Sequence, residues 1–236
     1  MTVFNKKIEP KLMDARVRKL FSGKGWLAGR SERARRLILP CGRRRQYSAG
    51  ETVYRIGDAP EGLYGLINGG VSVSIPNDVG TDYAVYQASP GFWIGDLALF
   101  ADQRRLVTVV ATEDTEMLHL PRAKLVPLVK EHPQLIRDFY ALSHVNMALA
   151  LRLLANMAIP DTKKRLAAWL LFSDEGLEPS QAWIEISQER LASMVAMSLP
   201  TVQRLLKGLS DKNLVEVGYG RLRICDRAAL AKFVQD

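Results

Sequence analysis

Residues 186–224 read ISQERLASMVAMSLPTVQRLLKGLSDKNLVEVGYGRLRI, and their pattern leaves few folding options. Apolar residues recur at helical spacing through Leu191, Val195, Leu199, Val202, Leu205, Leu206 and Leu209. The run is interrupted at Ala196-Met197-Ser198. Ser187 is a natural N-cap, with Glu189 in the first turn. Ser198 is placed to cap a second helix, and Pro200 falls in its first turn, where a missing N–H costs nothing. Two short strands around Gly218-Tyr219-Gly220 follow. The stretch therefore predicts two helices joined by a tight turn, then a hairpin: a winged helix.

In such a module the second helix lies in the DNA major groove. The residues expected to touch DNA are Ser187, Ser198, Leu199, Thr201, Gln203, Arg204, Lys207 and Arg221. Arg204 can fork onto guanine or grip a phosphate, and Gln203 can reach a base edge. Ser198 and Thr201 can donate to phosphate, while Arg221 and Arg223 on the hairpin suit the backbone. The competing reading is a winged module with a solvated helix face and no DNA. Residues 159–236 carry 11 basic and 10 acidic residues, a balance that mildly favours that alternative.

Upstream, residues 50–120 alternate as strands do. VSVSI (71–75) has period two, and TVYRI (52–56), LYGLI (63–67), YAVYQA (83–88), LVTVVAT (106–112) and TEMLHL (115–120) are further candidates. Asn68-Gly69-Gly70 is read as a tight hairpin between two of them. Short strands at this spacing predict an antiparallel sandwich or barrel. After Pro133 the pattern becomes helical for about 25 residues. Leu135, Leu142 and Leu149 recur every seven residues, with Phe139, Asn146 and Leu153 between them. These six are expected to form a dimerisation seam, with Asn146 setting register. A second stripe runs through Ile136, Tyr140, Met147, Leu154 and Met157. One face is read against the chain's own β-domain and the other against a second copy; an ordinary core helix is the alternative. Pro160 breaks the helix. The expected domains are 1–132, 133–158 and 159–236.

Composition narrows the class. No run of eighteen apolar residues exists, so no membrane span is expected, and the N-terminus has no secretory h-region. Cys41 and Cys225 are the only cysteines, too few for a four-cysteine metal site or a disulfide framework. A cytoplasmic location is expected. The net charge of +8 is concentrated in residues 1–50, which hold 14 basic and 3 acidic residues. Its runs ARVRK, RSERARR and GRRRQ read either as solvated helix faces and loop or as contacts to flanking DNA or an acidic partner.

The stretch GFWIGDLALFADQRRLVTVVAT (91–112) places Gly95, Asp96, Arg104 and Arg105 in one loop, the chemistry of a small-anion pocket. Its first part, GFWIGDLALF (91–100), with GETVYRIGDAPEGLYGLINGGVSVSI (50–75), the long helix and SMVAMSLPTVQRLLKGLSDKNLV (193–215), makes the chain resemble the Crp–Fnr family of bacterial transcription regulators. The resemblance implies an α+β fold: an N-terminal antiparallel β-roll of jelly-roll type with N-terminal helices, a long dimerisation helix and a C-terminal winged helix-turn-helix. It implies a homodimer on palindromic double-stranded DNA, controlled through the roll, with RNA polymerase as partner and no enzymatic activity.

In cyclic-AMP-binding members of that family this loop is a phosphate cassette. The expected effector residues are Gly95, Asp96, Leu97, Arg104, Arg105 and Leu106, with Arg104 and Arg105 as rivals for the phosphate. Asp96 stands where the family has a longer glutamate, and Leu106 where it has a serine. Ala150 and Leu151 stand near the adenine-contacting positions and offer no side-chain hydrogen bond. Each lost partner costs about 1–3 kcal/mol. The roll is therefore expected to be retained with its ligand changed or lost, and a small effector other than cyclic AMP stays open. Asp96 and Arg105 are equally able to pair with each other. No iron–sulfur cluster is expected, and His119, His132 and His144 form no haem motif. Two other functions compete: a cyclic-nucleotide-responsive roll that gates a protein partner, and a metal-dependent enzyme on a small barrel. The winged helix speaks against the first and the scarcity of histidines against the second.

Overall fold

The computed structural model describes residues 14–76, 82–174 and 183–235. The chain forms two compact units, Met1–Ala148 and Leu149–Asp236.

The first unit opens with two short helices, α1 (Ala15–Gly23) and α2 (Glu32–Ile38). Asp14 caps the first by accepting from the Arg16 N–H at 3.0 Å, and Ser31 Oγ caps the second by accepting from the Ala34 N–H at 3.1 Å. Strands β1 (Arg43–Tyr47), β2 (Thr52–Tyr54), β3 (Gly62–Asn68), β4 (Val71–Pro76), β5 (Asp82–Ala88), β6 (Trp93–Ile94), β7 (Thr108–Ala111) and β8 (Thr115–Pro121) follow. The short helix α3 (Asp96–Ala101) lies between β6 and β7, α4 (Arg122–Glu131) comes after β8, and α5 (Ile136–Met157) begins in this unit and ends in the second.

The strands make two antiparallel four-stranded sheets, ordered β1-β8-β3-β6 and β2-β7-β4-β5. Their facing sides enclose one core through Tyr64, Leu66 and Met117 from the first sheet and Val71, Val73 and Val109 from the second. The outer side of the first sheet carries Leu63, Leu118 and Leu120 against the helices, which makes a second core. This is the period-two alternation of a sheet apolar on both faces. Trp93 anchors the second core, 4.6 Å from Phe21 and 5.5 Å from Trp26 between ring centroids.

Two expectations fail here. Asn68-Gly69-Gly70 does not close a hairpin: β3 and β4 lie in different sheets, so the turn carries the chain across the roll. Gly69 has φ of 83°, and Thr115 Oγ1 donates to the Gly70 carbonyl at 2.9 Å, which fixes the crossing. The run GRRRQ is neither helix face nor loop. Residues 43–46 lie in β1, paired to β8 in the register Arg43↔His119.

The dimer seam also needs correction. Leu135, Phe139 and Leu142 are buried in the chain's own helix-side core, and Phe139 stacks near Trp26 and Phe100. Asn146 points into the roll domain and bonds there. Leu149 and Leu153 are half-buried. The exposed face of α5 is the other stripe, with Tyr140 at 76% and Leu154 at 65% exposure. A seven-residue repeat marks a helix apolar on two sides but does not say which side meets the parent domain.

The second unit holds α6 (Thr162–Asp174), β9 (Trp183–Glu185), α7 (Gln188–Met194), α8 (Leu199–Ser210), β10 (Val215–Gly218), β11 (Arg221–Ile224) and α9 (Arg227–Gln235). The three strands form a sheet ordered β10-β11-β9. The run EGLEPSQAW (175–183) has loop-like composition. Of it, only Trp183 is described, and it begins β9. Leu191 of α7 and Val202, Leu205, Leu206 and Leu209 of α8 are buried, as the helical spacing requires. Ala196 turns the chain between α7 and α8 with φ of 51°, a left-handed conformation that costs a residue with Cβ about 1–2 kcal/mol. Its side chain is exposed. Ala196→Gly is expected to raise the thermal unfolding midpoint of this unit. The strain relieved exceeds the roughly 0.5–1 kcal/mol of extra unfolded-state freedom that glycine brings. A lower midpoint would show that the methyl group stabilises the turn.

Candidate DNA interface and effector cassette

Ser187 Oγ accepts from the Arg190 N–H at 3.3 Å and so starts α7. Ser198 occupies the N-cap position of α8, yet its hydroxyl pairs with the Thr201 hydroxyl at 2.8 Å and caps no backbone N–H. The first turn of α8 therefore presents two linked hydroxyls. Pro200, Gln203, Arg204 and Lys207 are exposed on the face opposite the buried leucines, while Leu199 and Thr201 are half-buried. Gln203, Arg204 and Lys207 provide donors at i, i+1 and i+4, spacing that suits one groove wall.

On the hairpin, Arg221 lies 4.3 Å and Arg223 5.0 Å from the Trp183 ring centroid. Arg223 also pairs with Glu216. The ring holds both guanidinium groups by cation–π attraction, so they stand ordered beside α8's own module. Trp183 escapes sequence reading because it ends a loop-like run rather than a strand-like one. Tyr219 at the hairpin tip is fully exposed.

The roll cassette is built from β6, α3 and the approach to β7. Gly95 starts α3 with φ of 102°, and a Cβ there would lie 2.4 Å from Arg105 Nη1. Only glycine fits. Arg105 is buried. Its Nη1 donates to the Gly95 carbonyl at 2.9 Å and its Nη2 to the Gly62 carbonyl at 2.7 Å. The guanidinium carbon sits 4.3 Å from the Tyr54 ring centroid. Arg104 is exposed and donates to the Gly57 carbonyl at 3.2 Å. Leu97 is exposed, and so is Leu106, at 61%.

Asp96 is buried as well, but it does not pair with Arg105. Asn146 Nδ2 donates to Asp96 Oδ1 at 2.7 Å and to the Trp93 carbonyl at 3.2 Å. Asp96 Oδ2 is buried without a hydrogen-bond partner. The two groups share one interior and bond only to neutral partners, with Asp96 Oδ2 and Arg105 Nε left unbonded. Tyr54, Gly62 and Asn146 thus belong to the site although no motif marks them. A lone tyrosine in a strand and an asparagine in a heptad give no signal of this kind. Burial raises the Tyr54 hydroxyl, opposed by the nearby Arg105 cation, and burial pushes Tyr64 up to about 12.

His119 stacks on Tyr64 at 4.6 Å, and its Nδ1 accepts from Arg43 Nε at 3.3 Å. Its pKa is pushed down to about 3, by burial first and then by the Arg45 and Arg43 cations. The histidine is structural and neutral. Among the described residues, no group of three or more His, Cys, Asp or Glu is placed to hold a metal ion.

Comparison with known proteins agrees with this geometry. The family model of the cyclic nucleotide-binding domain matches residues 44–132, and that of the Crp-like helix-turn-helix domain matches residues 164–233. The chain belongs to the Crp–Fnr family of transcription regulators. It is 28% identical over 195 residues to the cyclic AMP receptor protein of Thermus thermophilus, covering 82% of this chain and 89% of that one. It is 27% identical over 175 residues to the cAMP-activated global transcriptional regulator CRP of Escherichia coli, covering 72% and 83%. The structure of FixK2 from Bradyrhizobium japonicum superposes with a TM-score of 0.73 at 19% identity, covering 81% of this chain and 96% of that one. This regulator is accordingly a DNA-binding transcription regulator. Among the described residues no helix is long and apolar enough to cross a membrane.

The histidine sets a pH dependence. Its folded pKa of about 3 lies below the unfolded value of 6.5, so the unfolded chain takes up the proton more readily. The stability due to neutral His119 is complete above the unfolded value and is lost as pH falls toward the folded one. Lowering the pH from about 7.5 to about 5.5 is expected to cost the roll about 1 kcal/mol through this group. Urea unfolding at the two pH values checks it. The His119→Gln variant is expected to lose that share of the difference, and an unchanged difference would assign it to other groups.

Proposed function

We propose that the regulator acts as a cytoplasmic homodimer. The second copy packs on the outer stripe of α5, and the two α8 helices read a palindromic site. The observation that carries the dimer is the exposure of Tyr140, Met147, Leu151 and Leu154 on one helix. A run of large exposed apolar residues on a single element is the mark of an interaction surface. The spacing 140, 147, 154 is that of a two-helix seam, and a second copy of α5 supplies the matching surface. Symmetry then places two recognition helices on successive major-groove faces, one helical turn apart. Arg204 and Gln203 read base edges, and Ser198, Thr201, Lys207, Arg221 and Arg223 hold phosphates. RNA polymerase is the partner through which the DNA-bound dimer acts, and the protein carries no catalysis of its own. The reading as a roll that gates a protein partner loses support, because the exposed donors of α8 suit a groove.

Control through the roll does not carry over from the cyclic-AMP-binding relatives residue by residue. Arg105 spends both terminal nitrogens on backbone carbonyls, and Leu106 offers no donor. On α5, Ala150 and Leu151 are exposed and apolar. These residues do not fit cyclic AMP, so no step of the function is routed through it.

Arg204→Ala is expected to weaken binding to the selected site by about 1–3 kcal/mol and to relax specificity at one base pair. Fluorescence anisotropy with matched and mismatched duplexes checks it, and unchanged discrimination would remove Arg204 from base reading. Leu151→Glu is expected to shift the protein to monomer in sedimentation and to weaken site binding on the order of 100-fold, the scale of lost avidity. A persisting dimer would place the interface elsewhere.

A further inference from the structure

The cassette of this chain is engaged from within. Asp96 is more than nine-tenths buried, and its carboxylate is met by the side chain of α5, not by a cation. Both N–H groups of the Asn146 amide are used, one on Asp96 Oδ1 and one on the Trp93 carbonyl. Both partners are acceptors, so the amide orientation follows from its surroundings. In the cyclic-AMP-binding members that this chain resembles, the acid after the glycine receives a ribose hydroxyl. Here a donor from the dimerisation helix takes that acid. The arginine is engaged too: Gly95 and Gly62 hold its terminal nitrogens, and Tyr54 covers its face. The groups a phosphoribose would need are thus already bonded to the start of α3, to β3 and to α5.

We infer that Asn146 is an internal ligand of the cassette. It latches α5 to the roll through Asp96, so that specific DNA binding needs no cyclic nucleotide. Breaking the latch leaves a buried carboxylate with neither oxygen bonded, since Oδ2 already lacks a partner. The helix that carries the dimer stripe is then free of its polar tie to the cassette. The link between roll state and DNA affinity runs through the Asn146 hydrogen bonds, chiefly the one to Asp96, and through the apolar packing of Phe139 and Leu142 beside them. The inference rests on the reading of the chain as a DNA-binding dimer.

The test is DNA affinity of the full chain on a site it has itself enriched, by fluorescence anisotropy, with and without saturating cyclic AMP. Wild type is expected to bind without nucleotide, and cyclic AMP is expected to leave the affinity unchanged. Asn146→Leu, which keeps the branched outline and removes the donor, is expected to weaken binding by about 5–150-fold, the usual range of coupling between sites. Asp96→Ala is expected to do the same, and the double variant to be no worse than either. Asp96→Asn keeps an acceptor for the amide and is expected to retain most of the affinity, which a general loss of stability would not allow. Dimer content and thermal midpoint are measured on each variant, and Asn146→Ala replaces Asn146→Leu if the latter unfolds. Two results overturn the latch: variants that bind as wild type does, or a wild type that binds only when cyclic AMP is added. A wild type that binds no DNA under either condition overturns instead the functional reading beneath it.

Discussion

One helix in this protein has two apolar faces to cover, and the rest of the arrangement follows from how it covers them. The inner face of α5 is satisfied within the chain by Phe139 and Leu142 packed among Trp26, Phe100 and the helices before the roll. Trp26 Nε1 donates to the Asp138 carbonyl at 2.6 Å, so the start of the helix is held by a hydrogen bond as well as by packing. With one side committed, Tyr140, Met147, Leu151 and Leu154 remain outward. Covering them with a second copy is the economical solution, because it buries the same stripe twice.

The roll interior solves a different problem. A guanidinium and a carboxylate lie in one apolar barrel, and neither is paid off by direct ion pairing. Arg105 is solvated by two carbonyls and an aromatic face, Asp96 by an amide. Buried charges persist only when hydrogen-bonded in this way. The same barrel keeps His119 neutral beside Arg43, so the histidine adds no further positive charge to the cationic side of the roll. The chain's own carbonyls and the Asn146 amide take Arg105 Nη1 and Nη2 and Asp96 Oδ1, while Asp96 Oδ2 stays unbonded.

Much of this was legible in the sequence because it is periodic. Alternation marked six strands, and helical spacing with serine and proline at its start marked α7 and α8. Strand β1 was hidden because three consecutive arginines read as a charge run, although Tyr47 is buried at its end. The Asn68-Gly69-Gly70 turn has hairpin chemistry, but turn chemistry does not choose which sheet the next strand joins. The two stripes of α5 look alike in the sequence, since both repeat at seven residues; only tertiary packing shows that Phe139 and Leu142 face the chain's own core while Tyr140, Met147 and Leu154 face outward. Gly95, Asp96 and Arg105 were visible as a cassette. Their partners Tyr54, Gly62 and Asn146 were not, because each lies on a different element and nothing local signals the contact.

The most direct measurement is selection from a random duplex pool by the purified full-length protein, with no small molecule added. The expected result is enrichment of a single palindromic sequence whose half-sites lie about one helical turn, roughly 10 base pairs, apart. A lone unsymmetrical half-site, or enrichment that depends on an added nucleotide, would contradict it.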